Sequence, residues 1–498
     1  MPEAADYFDQ GLRLYWAFNH EEAFRSFAKA AQADPHCAMC FWGAALSLGP
    51  NYNMPMMPER AQAAWDALEG AKRNVPGAPP VEQSLVNALA VRYAGPRAMA
   101  VEEVAQYNRA YAGAMRALSK AYPSDPDVLC LYAESLMILD PWKLWAKDGT
   151  PAENTTEIVS TIERALLLDS SHPGAHHLYI HAVEASKTPE RAVTSADRLG
   201  GLMPDAGHVV HMPSHIYQRI GRYHDSAEAN RRAIAADERY LTAIAPRAMP
   251  EAYGMYRGHN HQFLAVAAAT LGRSEEAIIA ARRGAQIAAA GAHHMPPVEA
   301  YVALPHVTLL KLERWNDVIA EPPPHGHFLT ATVLAHYARG MAFANTKRLA
   351  EATAELDELR NVAKTIPPDH FSVMNRGVDV AAIAALVLEA KLIEMRGDSA
   401  QAIARLAEAA LREDGLSYHE PADWWYSTRL DLGAALLRAR RPADAESIYR
   451  ADLANNPQNP WTLFGIAKAL TAQGKKKEAA LAFADAKAAW GEADIPPP

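Results

Sequence analysis

Apolar positions along the chain are alanine-dominated and fall into helical runs, without the β-branched clusters that strands need. From Ala4 to Cys37 the small and aromatic positions are Gly11, Ala23, Phe27, Ala30 and Pro35, spaced 12, 4, 3 and 5 apart. Near the other end Gly433, Ala445, Tyr449 and Pro457 repeat the pattern, and Ala467, Ala479, Phe483 and Ala486 follow it 34 residues on. The spacing predicts stacked pairs of antiparallel helices. Small side chains let the two helices of a pair cross closely, and the aromatic fills the gap to the next pair. Glycine or a polar turn closes the first helix, as in "RIGRYHDSAEA" and "TLGRSEEA", and proline stops the second.

This is the spacing of the tetratricopeptide (TPR) repeat, so the expected fold class is all-α, an α-α superhelix (TPR solenoid). We expect one superhelix over 1–498: N-terminal repeats over 4–140, histidine-rich repeats over 141–319 and C-terminal repeats over 320–498. Proline-rich breaks at 75–82, 140–145 and 320–327 predict longer inter-helix loops, the last a possible segment boundary.

A formal net charge of −9 and a pI near 6.1 argue against nucleic acid as partner, since phosphate neutralisation needs a basic stripe. The one lysine cluster, "GKKKEA" at 474–479, reads as a solvated helix start. No apolar segment is long enough for a membrane span and the N-terminus lacks a signal-peptide pattern, so a cytoplasmic protein is expected. Three cysteines cannot build a disulfide framework for a chain of 498 residues. Cys37 and Cys40 in "CAMC" read as small-residue packing, with a zinc half-site or redox pair as the other reading.

The chemistry concentrates in two stretches. "HHLYIHAVEAS" carries His177, His181 and Glu184, and "GHVVHMPSHIY" carries His208, His211 and His215. His177 and His211, like His181 and His215, are 34 residues apart, one repeat length. With 20 histidines in 498 residues, both partners arise by chance roughly once in six hundred. Histidines at i and i+4 project from one helix face, which is how a helix offers two imidazoles to one ion. In the repeat register these positions are expected to face the concave groove, and His259 on the following repeat points the same way. The expected ligand set is His177, His181, Glu184, His208, His211, His215 and His259, with one or two ions. Its nitrogen-rich donors suit Cu, Fe or Zn. His176 and His261 read as packing or supporting residues; His172, His224, His293 and His294 fall at turns or helix ends and read as solvated.

Trp142 and Trp145 are expected to roof the groove, and Trp424, Trp425 and Tyr426 offer the same from the C-terminal arm, with core packing as the other reading. Arg339 and Arg429 are placed as a cationic end to a substrate pocket. There is no phosphate-binding glycine loop, no HExxH and no nucleophile elbow.

The chain resembles a family of bacterial TPR-repeat proteins. The resemblance rests on "FNHEEA" (18–23), "CAMCFWGAALSLGPNYN" (37–53), "HHLYIHAVEAS" (176–186), "GHVVHMPSHIY" (207–217), "HNHQFL" (259–264) and "STRLDLGAALLRARRPADAE" (427–446), which span nearly the whole chain. The family pattern has a histidine where this chain has Gln262, with His261 one place early, which weakens Gln262 as a ligand. The expected function is a transition-metal-dependent enzyme acting on a small-molecule substrate, an oxidoreductase ahead of a zinc hydrolase. The alternative is a non-enzymatic TPR scaffold that binds a protein partner or peptide.

Overall fold

A computed structural model describes residues 2–244, 251–293 and 295–498. The chain is all-α: beyond helices, the described residues hold one two-residue hairpin, Phe371–Ser372 against Asn375–Arg376. No helix among them is long and apolar enough to cross a membrane. The chain divides into two compact units, Met1–Ile216 and Tyr217–Pro498, the division falling inside the segment 141–319.

In the first unit, helices Pro2–Trp16 and His20–Ala33 form a hairpin, followed by Ala38–Leu48 and Ala61–Asn74. A Cβ on Gly11 would stand 2.9 Å from the Phe27 ring, and one on Gly43 2.4 Å from it. The aromatic thus lies between two helices that approach at glycine, as the repeat spacing requires. The hairpins continue through Pro126–Met137 with Thr155–Leu168, and through Pro173–Val183 with Val193–Leu202, to Gly207–His211. Trp16 packs on Gly174, where a Cβ would lie 2.4 Å from the indole. The first helix is thereby brought against Pro173–Val183.

In the second unit Gly433 and Gly465 receive Tyr449 in the same way, at 2.4 and 2.5 Å. Gly221 and Gly272 close their helices with φ of 80° and 71°, the left-handed backbone that favours glycine. The last hairpin, Pro460–Ala472 with Lys476–Trp490, returns to the turn after Thr270. Trp461 Nε1 donates to the carbonyls of Ala269 and Thr270, and the Asp494 carboxylate accepts from the backbone N–H of Ser274. This unit therefore closes on itself.

Cys37 and Cys40 are joined by a disulfide. Cys37 caps the helix Ala38–Leu48 and Cys40 lies in its first turn, which sets their Cα atoms 5.4 Å apart. The pair is neither a reduced packing element nor a free thiolate half-site.

Candidate metal centre

His177 and His181 lie on the helix Pro173–Val183, with Glu184 as its C-cap residue; His208 and His211 lie on Gly207–His211. Pro213 ends that helix and starts the next, which carries His215. All six side chains belong to the first unit and are at most 4% exposed. They are buried, and do not line an open groove as the repeat register suggests. The reason is tertiary: residues far away in sequence cover them.

Phe18 lies tilted against His177 at a ring distance of 4.4 Å and stacks on His208 at 5.7 Å and on His181 at 6.0 Å. Tyr52 and Trp142 cover His181 at 5.2 and 5.4 Å. Phe18 and Trp142 both hold left-handed backbone, φ 55° and 63°. Non-glycine residues pay on the order of 1–3 kcal/mol for such a conformation, and it persists where surrounding structure fixes it. Two strained aromatics bracket one histidine cluster. Trp145 acts one step back: its indole donates to the Ala182 carbonyl at 2.7 Å, pinning the 140–152 loop to the histidine helix.

Ligand-type atoms of His177, His181 and His208 lie within 4.8 Å of one another. His177 Nδ1 meets the Trp16 carbonyl at 2.7 Å, and His181 Nδ1 meets Glu184 Oε1 at 3.0 Å. Carbonyl and carboxylate oxygens only accept, so each Nδ1 carries the proton and each Nε2 a lone pair. Those two Nε2 atoms are buried and have no hydrogen-bond partner among the described residues. Burial, with His181 as neighbour, holds His177 well below the ordinary imidazole range; the Trp16 carbonyl opposes this. Burial likewise lowers His181, and burial with His177 lowers His208 well below it. The trio is therefore neutral, the state in which imidazole ligates.

The remaining three form a chain. Glu184 Oε2 lies 2.6 Å from His215 Nδ1, His215 Nε2 lies 2.9 Å from His211 Nε2, and His211 Nδ1 lies 3.2 Å from Ser214 Oγ. One tautomer set satisfies all three contacts: His215 donates from Nδ1 to Glu184 and accepts at Nε2 from His211, whose Nδ1 accepts from Ser214. Burial would raise the Glu184 carboxyl, but His215 and His181 hold it below the usual range. Glu184 sits on the Nδ1 side of His181, positioned to orient that ring.

His259 lies in the second unit, its Nδ1 3.2 Å from Gln262 Oε1. Arg339 is held by Glu355 at 2.9 Å and Arg429 by Asp414 at 2.6 Å. His176 is a packing residue, bonded to Ser195 Oγ and the Ser170 carbonyl. His172 is not solvated: it caps Pro173–Val183 by accepting from the Ala175 N–H at 3.0 Å, and Trp16 covers it. His224 and His293 are exposed, and His294 lies outside the described residues. Sequence reasoning missed Phe18 and Tyr52, although both stand inside the quoted blocks "FNHEEA" and "CAMCFWGAALSLGPNYN".

Fold and repeat geometry define the class: this is an all-α, TPR-type helical-repeat protein. No family model matches the chain, and no curated protein matches it. Among solved structures it is similar to human IFIT1, seen as a dimer with PPP-AAAA, at 12% identity and a TM-score of 0.36, covering 96% of this chain and 88% of that one. It is also similar to yeast Tom70, at 10% identity and a TM-score of 0.28, covering 96% and 90%. Neither likeness transfers a ligand to this chain.

Proposed function

We propose that this TPR-type scaffold carries a transition-metal centre on His177, His181 and His208 in its first unit, and that the chain is a metal-dependent enzyme acting on a small molecule. The observation that carries the reading is the pair of buried Nε2 lone pairs on His177 and His181, each aimed by an oxygen acceptor on the opposite ring nitrogen. A buried polar atom left without a partner costs about 1–3 kcal/mol, and an ion offsets that for both rings at once. An all-imidazole set suits Cu, Fe or Zn, and such an ion would supply redox or Lewis-acid chemistry. The chain Ser214–His211–His215–Glu184 supports an enzymatic role because it can hold and pass a proton beside the trio. We favour an oxidoreductase, with a zinc hydrolase as the variant.

The coarser reading, a TPR-type scaffold that binds a protein partner, is supported by the helical-repeat fold and does not need the ion. Metal analysis separates them. Protein purified without chelators is expected to hold about one ion per chain. Both His177→Gln and His181→Gln are expected to lose it while keeping helical content. Metal well below one equivalent, with no uptake on reconstitution, overturns the centre and leaves the scaffold.

A further inference from the structure

The second unit contains a cavity of about 470 Å³, within the size range of small-molecule sites. Aromatic side chains on its walls include Tyr337, Trp424, Trp425, Tyr426 and Trp461. Most charged groups on its lining are already engaged. Arg438 pairs with Glu394 at 2.6 and 3.0 Å, Lys391 stands 3.8 Å from Glu394, and Asp423 accepts from Asn375 at 2.9 and 2.7 Å. Glu313 and Lys468 are exposed.

Lys311 and Asp431 differ. Among the described residues neither has a hydrogen bond, and neither has an opposite charge within 4.0 Å, including each other. The Lys311 ammonium lies 3.9 Å from the Trp461 ring centre and 5.2 Å from that of Tyr426. Burial pushes it down to about 7, with Asp431 opposing, and burial pushes the Asp431 carboxyl up. The indole N–H groups of Trp424 and Trp425, in the same lining, are buried without an acceptor. One cavity thus presents a cation resting on aromatic rings and an anion, neither with an ion-pair partner among the described residues, beside two buried indole donors without an acceptor there, an arrangement that a ligand of matching charges would complete.

We propose that this cavity binds a small zwitterion with an aromatic or large apolar side chain, of the chemical class of a free α-amino acid. Lys311 receives the carboxylate, Asp431 the ammonium, and Tyr426, Trp461 and Tyr337 the side chain. A simple carboxylate would leave Asp431 unanswered and be repelled by it; a simple amine would meet the same objection at Lys311. The inference is independent of the metal centre, which shares none of these residues.

The test uses the full chain and the twenty free L-amino acids, screened by thermal shift and followed by calorimetry. 3-Phenylpropionate and 2-phenylethylamine serve as single-charge probes matched to phenylalanine. At least one aromatic or large apolar amino acid is expected to bind, with both single-charge probes about tenfold weaker or worse. Lys311→Met and Asp431→Asn are each expected to weaken the amino acid by a similar factor. If no amino acid binds, if a single-charge probe matches phenylalanine, or if both variants bind unchanged, the proposal is overturned. Should Lys311→Met not fold, reductive methylation of the wild-type chain decides: protection of Lys311 by the bound amino acid supports the site, and unchanged labelling overturns it.

Discussion

Replacing Glu184 by Gln tests the logic of the centre at its most constrained atom pair. The carboxylate accepts from two imidazoles, His181 at 3.0 Å and His215 at 2.6 Å. An amide of the same shape has one acceptor and one donor group, so it can keep His181 or His215 but not both. If it keeps His181, His215 must move its proton to Nε2, and His211 and Ser214 must reverse in turn. If it keeps His215, the His181 Nε2 lone pair is no longer fixed. Exchanging two charge-assisted hydrogen bonds for neutral ones loses about 2 kcal/mol, but an amide is cheaper to bury than a carboxylate, so the metal-free fold changes little. Metal affinity has no such offset. Removing a group that orients a ligating histidine lowers affinity about 10–100-fold, or ~1.4–2.7 kcal/mol. The assay is uptake of Co²⁺ by metal-free protein, read from its visible absorption, with Zn²⁺ displacement under a competing chelator. At pH 7 the comparison is free of carboxyl titration. A carboxyl lowered in the folded state gives its full contribution above its unfolded value and loses it only in stronger acid. Affinity unchanged within threefold would refute the tautomer argument. A collapse of the metal-free melting temperature would show that Glu184 is structural instead.

Burial keeps the trio histidines neutral below the ordinary imidazole range, so metal occupancy should hold at about pH 6 and fall only in stronger acid; half-release at or above pH 6.5, seen by dialysis and metal analysis, would contradict this. His20 is buried against the Ser47 carbonyl, and burial, aided by Arg60, lowers it to about 3. Its contribution to stability is complete above the unfolded value near 6.5 and is lost as pH falls towards the folded one. Wild type should therefore lose ~2.3 kcal/mol relative to His20→Gln between pH 6.5 and 4.5, measured by denaturant unfolding at both values, and a constant difference would refute it. Gly43→Ala places a methyl group 2.4 Å from the Phe27 ring and should cost about 1–3 kcal/mol, read as a lower melting temperature; an unchanged midpoint would refute the close approach.

The hairpin repeat was legible because its constraint is local. Gly11, Phe27, Gly433 and Tyr449 announce close helix crossings by spacing alone, and the structure places both aromatics against those glycines. The 34-residue offset located the histidines for the same reason, since it carries one helix position onto the next repeat. Burial was legible only in part: Trp142 is expected over the histidines, but Phe18 and Tyr52 reach the cluster across long sequence separations. The division of labour among the six was not legible. Spacing makes His177 and His211 equivalent, but His177 turns Nδ1 to a carbonyl and leaves Nε2 bare, whereas His211 spends Nε2 on His215.

That difference is the observation on which the proposed centre rests. His176 spends both ring nitrogens on packing contacts, with Ser195 and Ser170. His177 and His181, one turn along the same helix, each use one and leave the other without a partner among the described residues, beside two aromatic residues at left-handed φ. A fold selected only for stability gains nothing from two buried lone pairs without a protein donor beside two bulky residues at left-handed φ. Their coincidence at one point is what a site held open for a ligand requires. The ligand must be small and electron-accepting, because Phe18, Tyr52 and Trp142 pack directly on the rings; the converging donors are lone pairs on nitrogen. A metal ion meets both conditions, which is why the proposed centre is placed on these rings and not elsewhere in the first unit.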